Sequence, residues 1–228
     1  MRHDHDWDAA TGVSLIGLPA GSAPVQRWVF EPPAVPADLI LRLQKHRHPA
    51  CVPGPIRDVA EAMAAEASRL TAPEAMVWRG LVTGVDPDGE VMLDGIHRFR
   101  SRALARLLVQ AKAAYVVALT LGDALERRVD VFFEERGLLE GLLLDTAGWA
   151  AIEILMREVR RRLSALEQAS ARVVTHRLAP GYQDWRVDEQ AALLRVFGDV
   201  PLPVRLTEFA WMLPRKSVSA LFGVCPAR

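Results

Sequence analysis

The sequence predicts an α+β protein, and three features carry that reading. Helix-period stretches are interleaved with strand-like ones, but not in strict β-α-β units. An Asp-Pro-Asp-Gly turn at 86–89 lies between two apolar, strand-like runs, the pattern of a hairpin. The run YVVALTLG (115–122) is short, continuously apolar and ends in glycine, as a buried strand does.

Taken in order, the first 35 residues read as irregular, because Gly, Pro and Ser are scattered through LPAGSAPVQRWVFEPPAVPAD. They are expected to form an arm or a loosely packed edge. A short helix is predicted at about 37–45. A second, 55–70, starts with proline in its first turn and is rich in Ala and Glu. The hairpin spans MVWRGLVTGVDPDGEVMLDG. A helix over 101–114 follows, with Ser101 placed to cap it. After the strand at 115–122 comes a helix over 123–135, with Asp123 at its start. The longest helix, 138–168, turns from apolar to basic at REVRRRL. A strand at 171–178 runs into a Pro-Gly-Tyr loop. A helix over 187–198 is ended by Gly198, and VRLTEFAWML and KSVSALFGV close the chain as two strands.

Composition sets bounds on function. Of 228 residues, 50% are hydrophobic and 25% charged, enough for a substantial core in one large or two small domains. Basic and acidic residues balance at 28 each, which removes the electrostatic footprint of a nucleic-acid binder and of a protein held on anionic membranes by charge. The two cysteines, Cys51 and Cys225, are no disulfide framework. The start MRHDHDWDAA is polar where a secretory segment is apolar, and the run 137–155 is interrupted by Glu140, Asp145 and Glu153. A cytoplasmic protein is the expectation.

HRHPAC offers His46, His48 and Cys51, with His3 and His5 as further ligands, but the spacing matches no zinc pattern. It reads as a loop with surface histidines. The sequence has no G-x-S-x-G, no phosphate-binding glycine loop and no H-E-x-x-H. Asp145 and Glu153 stand eight residues apart, slightly more than two turns, so both lie near one face of the long helix. Each either pairs with an arginine elsewhere or meets a cationic ligand group. In HRLAPGYQDW (176–185), Arg177 can grip a carboxylate, Pro180 and Gly181 set a turn, and Tyr182 offers a flat ring. Such a set suits a small zwitterion carrying an aromatic ring; an arginine and a tyrosine beside a surface turn is the bland alternative.

RLAPGY (177–182), followed by LTEFAWMLPRKSVSALFG (206–223), resembles the C-terminal activation domain of cobalamin-dependent methionine synthase, and its stand-alone, single-domain relatives most of all. The shared features are R-x-x-P-G-Y, then L-T-E, Met-x-Pro and S-V-S. TLG at 120–122 and LLLD…AAIE in the long helix agree with it. The resemblance covers about 55–224 and leaves the first 50 residues outside, so it implies an N-terminal extension over 1–50 and an activation-domain-like unit over 51–228.

The resemblance implies an antiparallel sheet with flanking helices that binds S-adenosylmethionine. The ligand's methyl group would regenerate methylcobalamin on a partner after a flavodoxin-like or other one-electron donor has reduced the oxidised cobalamin. The partner would be a cobalamin-binding methyltransferase, most simply a methionine synthase core without its own activation domain. Arg177 would hold the ligand carboxylate, backbone groups of Ala179 and Gly181 would line the loop, and Tyr182 would border the adenosine or the corrin. Glu153 would accept the ammonium, with Asp145 as its companion. Lys216, Ser217 and Ser219 match the later motif in a structural role. Four departures stand out: Leu178 replaces a common proline, the acidic residue that the large enzymes contribute from the start of the domain has no clear match, the chain stops just after the S-V-S strand, and no D-x-H-x-x-G occurs, so the corrinoid is expected to come from the partner.

Overall fold

The computed structural model describes residues 25–227 and, before them, the backbone of 6–8 and 13–16. The sheet runs β1 (Asp6–Asp8), β2 (Val13–Ile16), β3 (Val25–Val29), β4 (Glu74–Val85), β7 (Ala113–Thr120), β11 (Ser217–Pro226), β8 (Arg172–Leu178), with every neighbouring pair antiparallel. The far half of β4 bends away to pair with β5 (Glu90–Leu93), which in turn pairs with β6 (His97–Arg100). The α+β antiparallel architecture is as expected.

Alternation along the central strands divides the core in two. Ala75, Val77, Tyr115, Val117, Leu119, Ala220 and Phe222 point to one face. There they meet α1 (Ala37–Leu43), α2 (Gly54–Leu70), α4 (Ala124–Glu134) and α5 (Leu138–Gln168). Met76, Trp78, Val116, Ala118 and Leu221 point to the other, against α3 (Arg102–Leu108) and the short α6 (Gln190–Leu194). Strand β7 is therefore buried at every position, which is why its sequence is continuously apolar.

Most elements sit where periodicity places them. The long helix has the predicted bounds, and Ser101 accepts a hydrogen bond from the Leu104 amide as the cap of α3. The 86–89 turn closes with Gly89 at φ 101°, a conformation that glycine adopts without strain.

Four expectations need correction. The N-terminal stretch is not irregular throughout: β3 pairs with β4 from Val25↔Trp78 to Val29↔Glu74, and Val25 and Trp28 are buried on opposite faces of the sheet. A five-residue strand among Gly and Pro gives almost no periodic signal; the free edge of β4 supplies the order. The sheet and core thus extend into the region assigned to the 1–50 extension. The helix expected over 101–114 ends at Leu108, because Ala114 is needed in β7 between Gly80 and Gly223. Alanine favours helix, but here packing overrides propensity. The strand expected over 204–213 is a small hairpin, β9 (Arg205–Leu206) with β10 (Met212–Leu213), closed by Thr207 N–H to Trp211 O at 2.8 Å. The helix expected over 187–198 is two 3₁₀ turns around α6, and Gly198 ends it at φ 63°.

No helix among the described residues is long and apolar enough to cross a membrane. His46, His48 and Cys51 are exposed between α1 and α2, and the described residues contain no cluster of three or more metal-ligating side chains. His3 and His5 lie outside the described residues.

Candidate functional site

The site assembles where β8, the last strand of the sheet, runs beside α5. The two elements are pinned together at three levels. Glu167 at the end of the helix accepts from Arg172 at 3.3 Å, the Arg160 guanidinium donates to the carbonyls of Thr175 and Val174, and Glu153 accepts from Arg177 at 2.6 Å. Spacing of seven residues along α5 keeps these three on one face, two turns apart.

The first and last rungs differ in kind. Glu167 is buried and also accepts from the Tyr115 hydroxyl at 2.7 Å and the Arg79 guanidinium at 2.9 Å. Burial opposes its charge, yet the hydrogen bonds from Arg79, Tyr115 and Arg172 outweigh it and hold the carboxyl below its ordinary value. Burial also pushes the Tyr115 hydroxyl up, so it stays a neutral donor. Glu153 and Arg177, by contrast, keep 48% and 30% of their side chains exposed. The two residues expected to grip opposite ends of a zwitterion are thus brought together and satisfy each other.

The loop that follows β8 is built for rigidity. Pro180 is buried, and Gly181 takes φ 92° and donates its N–H to the Trp185 carbonyl at 2.7 Å. Tyr182 N–H returns to the Ala179 carbonyl at 3.2 Å. Two of the backbone groups expected along the ligand therefore serve the turn itself, and Ala179 is buried. Trp185 is a core anchor: it packs edge-on against Phe99 and donates to Glu189 at 2.9 Å. Asp184 accepts from Ser101 Oγ and from the amides of Arg102 and Ala103 at the start of α3. Those donors, the Ala103 amide foremost, hold its carboxyl below the usual range. Tyr182 stands at the tip, 59% exposed, with Gly181 and Gln183 exposed on either side of it.

Asp145 is placed differently from the expectation. Its partner is Lys216, whose Nζ lies 2.6 Å from Oδ1 and whose side chain is only 4% exposed. Gly148 makes that burial possible: a Cβ there would come within 2.9 Å of Lys216 Cε and 3.0 Å of Leu125 Cδ2. Ser217 and Ser219 are buried, Ser217 bonded to Thr120 Oγ1 at 2.8 Å and Ser219 accepting from Gln190 Nε2 at 2.7 Å. Sequence reading missed Trp149. It stands one turn from Asp145 and one turn from Glu153 on the same face, is 48% exposed, and carries the Lys216 ammonium 4.5 Å over its ring. The i, i+4, i+8 stripe Asp145–Trp149–Glu153 was the available signal. Also unforeseen are Phe209 and Trp211, exposed on the β9–β10 hairpin beside a cleft of about 430 Å³.

No family model matches this sequence, and no curated protein does. Among solved structures, the crystal structure of the MetH reactivation domain bound to AdoHcy is similar, with a TM-score of 0.63 at 14% identity. The likeness covers 92% of this chain and 81% of that one, more than residues 51–228 alone could supply, so it takes in part of the N-terminal region as well. At that identity it shows a shared fold.

Proposed function

We propose that this chain binds S-adenosylmethionine and acts as a free-standing reactivation partner of a cobalamin-dependent methyltransferase, most simply a methionine synthase that lacks its own activation domain. The observation that carries this reading is the Arg177–Glu153 pair, 2.6 Å apart and partly exposed on adjoining elements. An amino-acid head brings a carboxylate and an ammonium, so it can replace both partners at once and leave neither charge unpaired. The planar fork of Arg177 suits a bidentate carboxylate. The R-x-x-P-G-Y motif and the likeness in fold support the same reading.

The partner's corrinoid, reduced by a flavodoxin-like or other one-electron donor, would supply the nucleophile that takes the methyl group. This chain's residues hold and aim the donor. Arg177 fixes the carboxylate, Glu153 the ammonium, and Tyr182 borders the adenosine or the facing corrin from the loop tip. A sulfonium is already an activated donor, so alignment is what remains to be supplied, and no general base is needed.

A docking module that has lost its ligand is the second reading, and the loop backbone favours it: Ala179 is buried and the Gly181 N–H is taken by the Trp185 carbonyl rather than left for a ligand. Transfer of label from methyl-labelled S-adenosylmethionine to a cobalamin-loaded partner, with reductant present, separates the two. Transfer that needs this chain and fails with Arg177→Ala supports reactivation; stimulation of the partner without label transfer would leave a docking module. A helper of another corrinoid methyltransferase or demethylase would show its activity only with that partner.

A further inference from the structure

We propose that Trp149 reads the positive charge of the ligand's sulfonium and so sets the preference for S-adenosylmethionine over its demethylated product; this rests on the reading that Glu153 takes the ligand ammonium. With the ammonium on Glu153, the sulfonium sits four bonds further along the ligand chain. That reach is comparable with the roughly 5–6 Å between Cβ atoms of residues one turn apart on a helix. The ligand chain can therefore run toward either neighbouring turn of α5. Toward the C-terminus the helix presents Arg157, exposed one turn on, and then Arg160. Those like charges disfavour a sulfonium. Toward the N-terminus it presents the half-exposed indole of Trp149 and, beyond it, the Asp145 carboxylate.

The indole already demonstrates its capacity for cations, since the Lys216 ammonium lies 4.5 Å over the ring. Asp145 neutralises that ammonium at 2.6 Å, so the cradle adds no net positive charge against a second cation. Nearly half of the Trp149 surface remains open to receive it. The product, S-adenosylhomocysteine, has a neutral thioether at the same place and gains nothing from the ring. Trp149 would thus favour the donor and help release the product after methyl transfer.

The test is calorimetric titration of S-adenosylmethionine and S-adenosylhomocysteine into the wild type, Trp149→Phe and Trp149→Leu, with melting curves to confirm that each variant is folded. The preference for the sulfonium ligand should fall roughly two- to fivefold in Trp149→Leu and less in Trp149→Phe. An unchanged ratio, including equal weakening of both ligands, would make Trp149 a packing residue and overturn the inference while the site reading stands. Binding of neither ligand by the wild type would overturn both.

Discussion

Glu167 and Glu153 lie on the same face of the same helix, about four turns apart, and both face strand β8 through an arginine. Glu167 is buried, with a tyrosine and two arginines on it; Glu153 is half exposed, with one. The chemistry is the same, and what differs is how completely each carboxylate is satisfied. A carboxylate with three fixed donors in a closed site has no capacity left for a ligand, and it fastens the helix to the sheet. A half-exposed one with a single, partly exposed donor can exchange its partner. Because two other contacts still hold β8 to α5, opening the Arg177–Glu153 pair does not release the strand.

The contrast is broken most severely at its buried end. Glu167→Ala leaves the Tyr115 hydroxyl and the Arg79 guanidinium without their acceptor, and should cost about 3 kcal/mol in a denaturant titration. Ligand affinity of the folded protein should be unchanged. A loss below 1 kcal/mol would mean that Glu167 is no clamp.

Gly148→Ala tests the cradle of Lys216. The added methyl meets Lys216 and Leu125, and overpacking at this point should cost about 1–2 kcal/mol, read from the melting temperature. Unchanged stability would show that the lysine stem moves aside freely.

Acid pH sharpens the comparison. The folded state favours the charged form of Glu167, so its stabilisation is complete above the ordinary carboxyl value of 4.5 and is lost as pH falls through the lowered one. Glu167→Gln should therefore flatten the decline in melting temperature below about pH 4.5. A lower acid limb should persist from Glu158, which the Arg161 guanidinium, and after it Arg162, holds at about 2. An unaltered profile would contradict the clamp. Glu153→Ala should have the smallest effect on stability, within about 1 kcal/mol, because its pair is solvent-screened. A larger loss would make the pair structural.

The sequence made the skeleton legible where a pattern is long and local. The 138–168 helix carries an apolar stripe through many turns, and Ser101 announces a cap within three residues of its partner. The Arg-Leu-Ala-Pro-Gly-Tyr loop was legible as a motif, and Gly181 at φ 92° is its physical reason. Strand β3 was not legible, since its order comes from the edge of β4 rather than from its own residues. The charge pairings were legible only as a class: an arginine partner was one of two fates open to Glu153 and Asp145, with no sign of which residue it would be. Arg177 finds Glu153 from 24 residues away and Lys216 finds Asp145 from 71, distances over which only the folded sheet brings side chains together.

We propose that Arg177 and Glu153 exchange each other for a zwitterion. Calorimetric titration of S-adenosylmethionine into the wild type and Arg177→Ala tests it most directly. Saturable binding by the wild type that weakens at least tenfold in Arg177→Ala, as loss of a charged hydrogen bond worth about 1.5–3 kcal/mol requires, is the predicted result. Equal affinity in the two proteins, or no binding by the wild type, would contradict it.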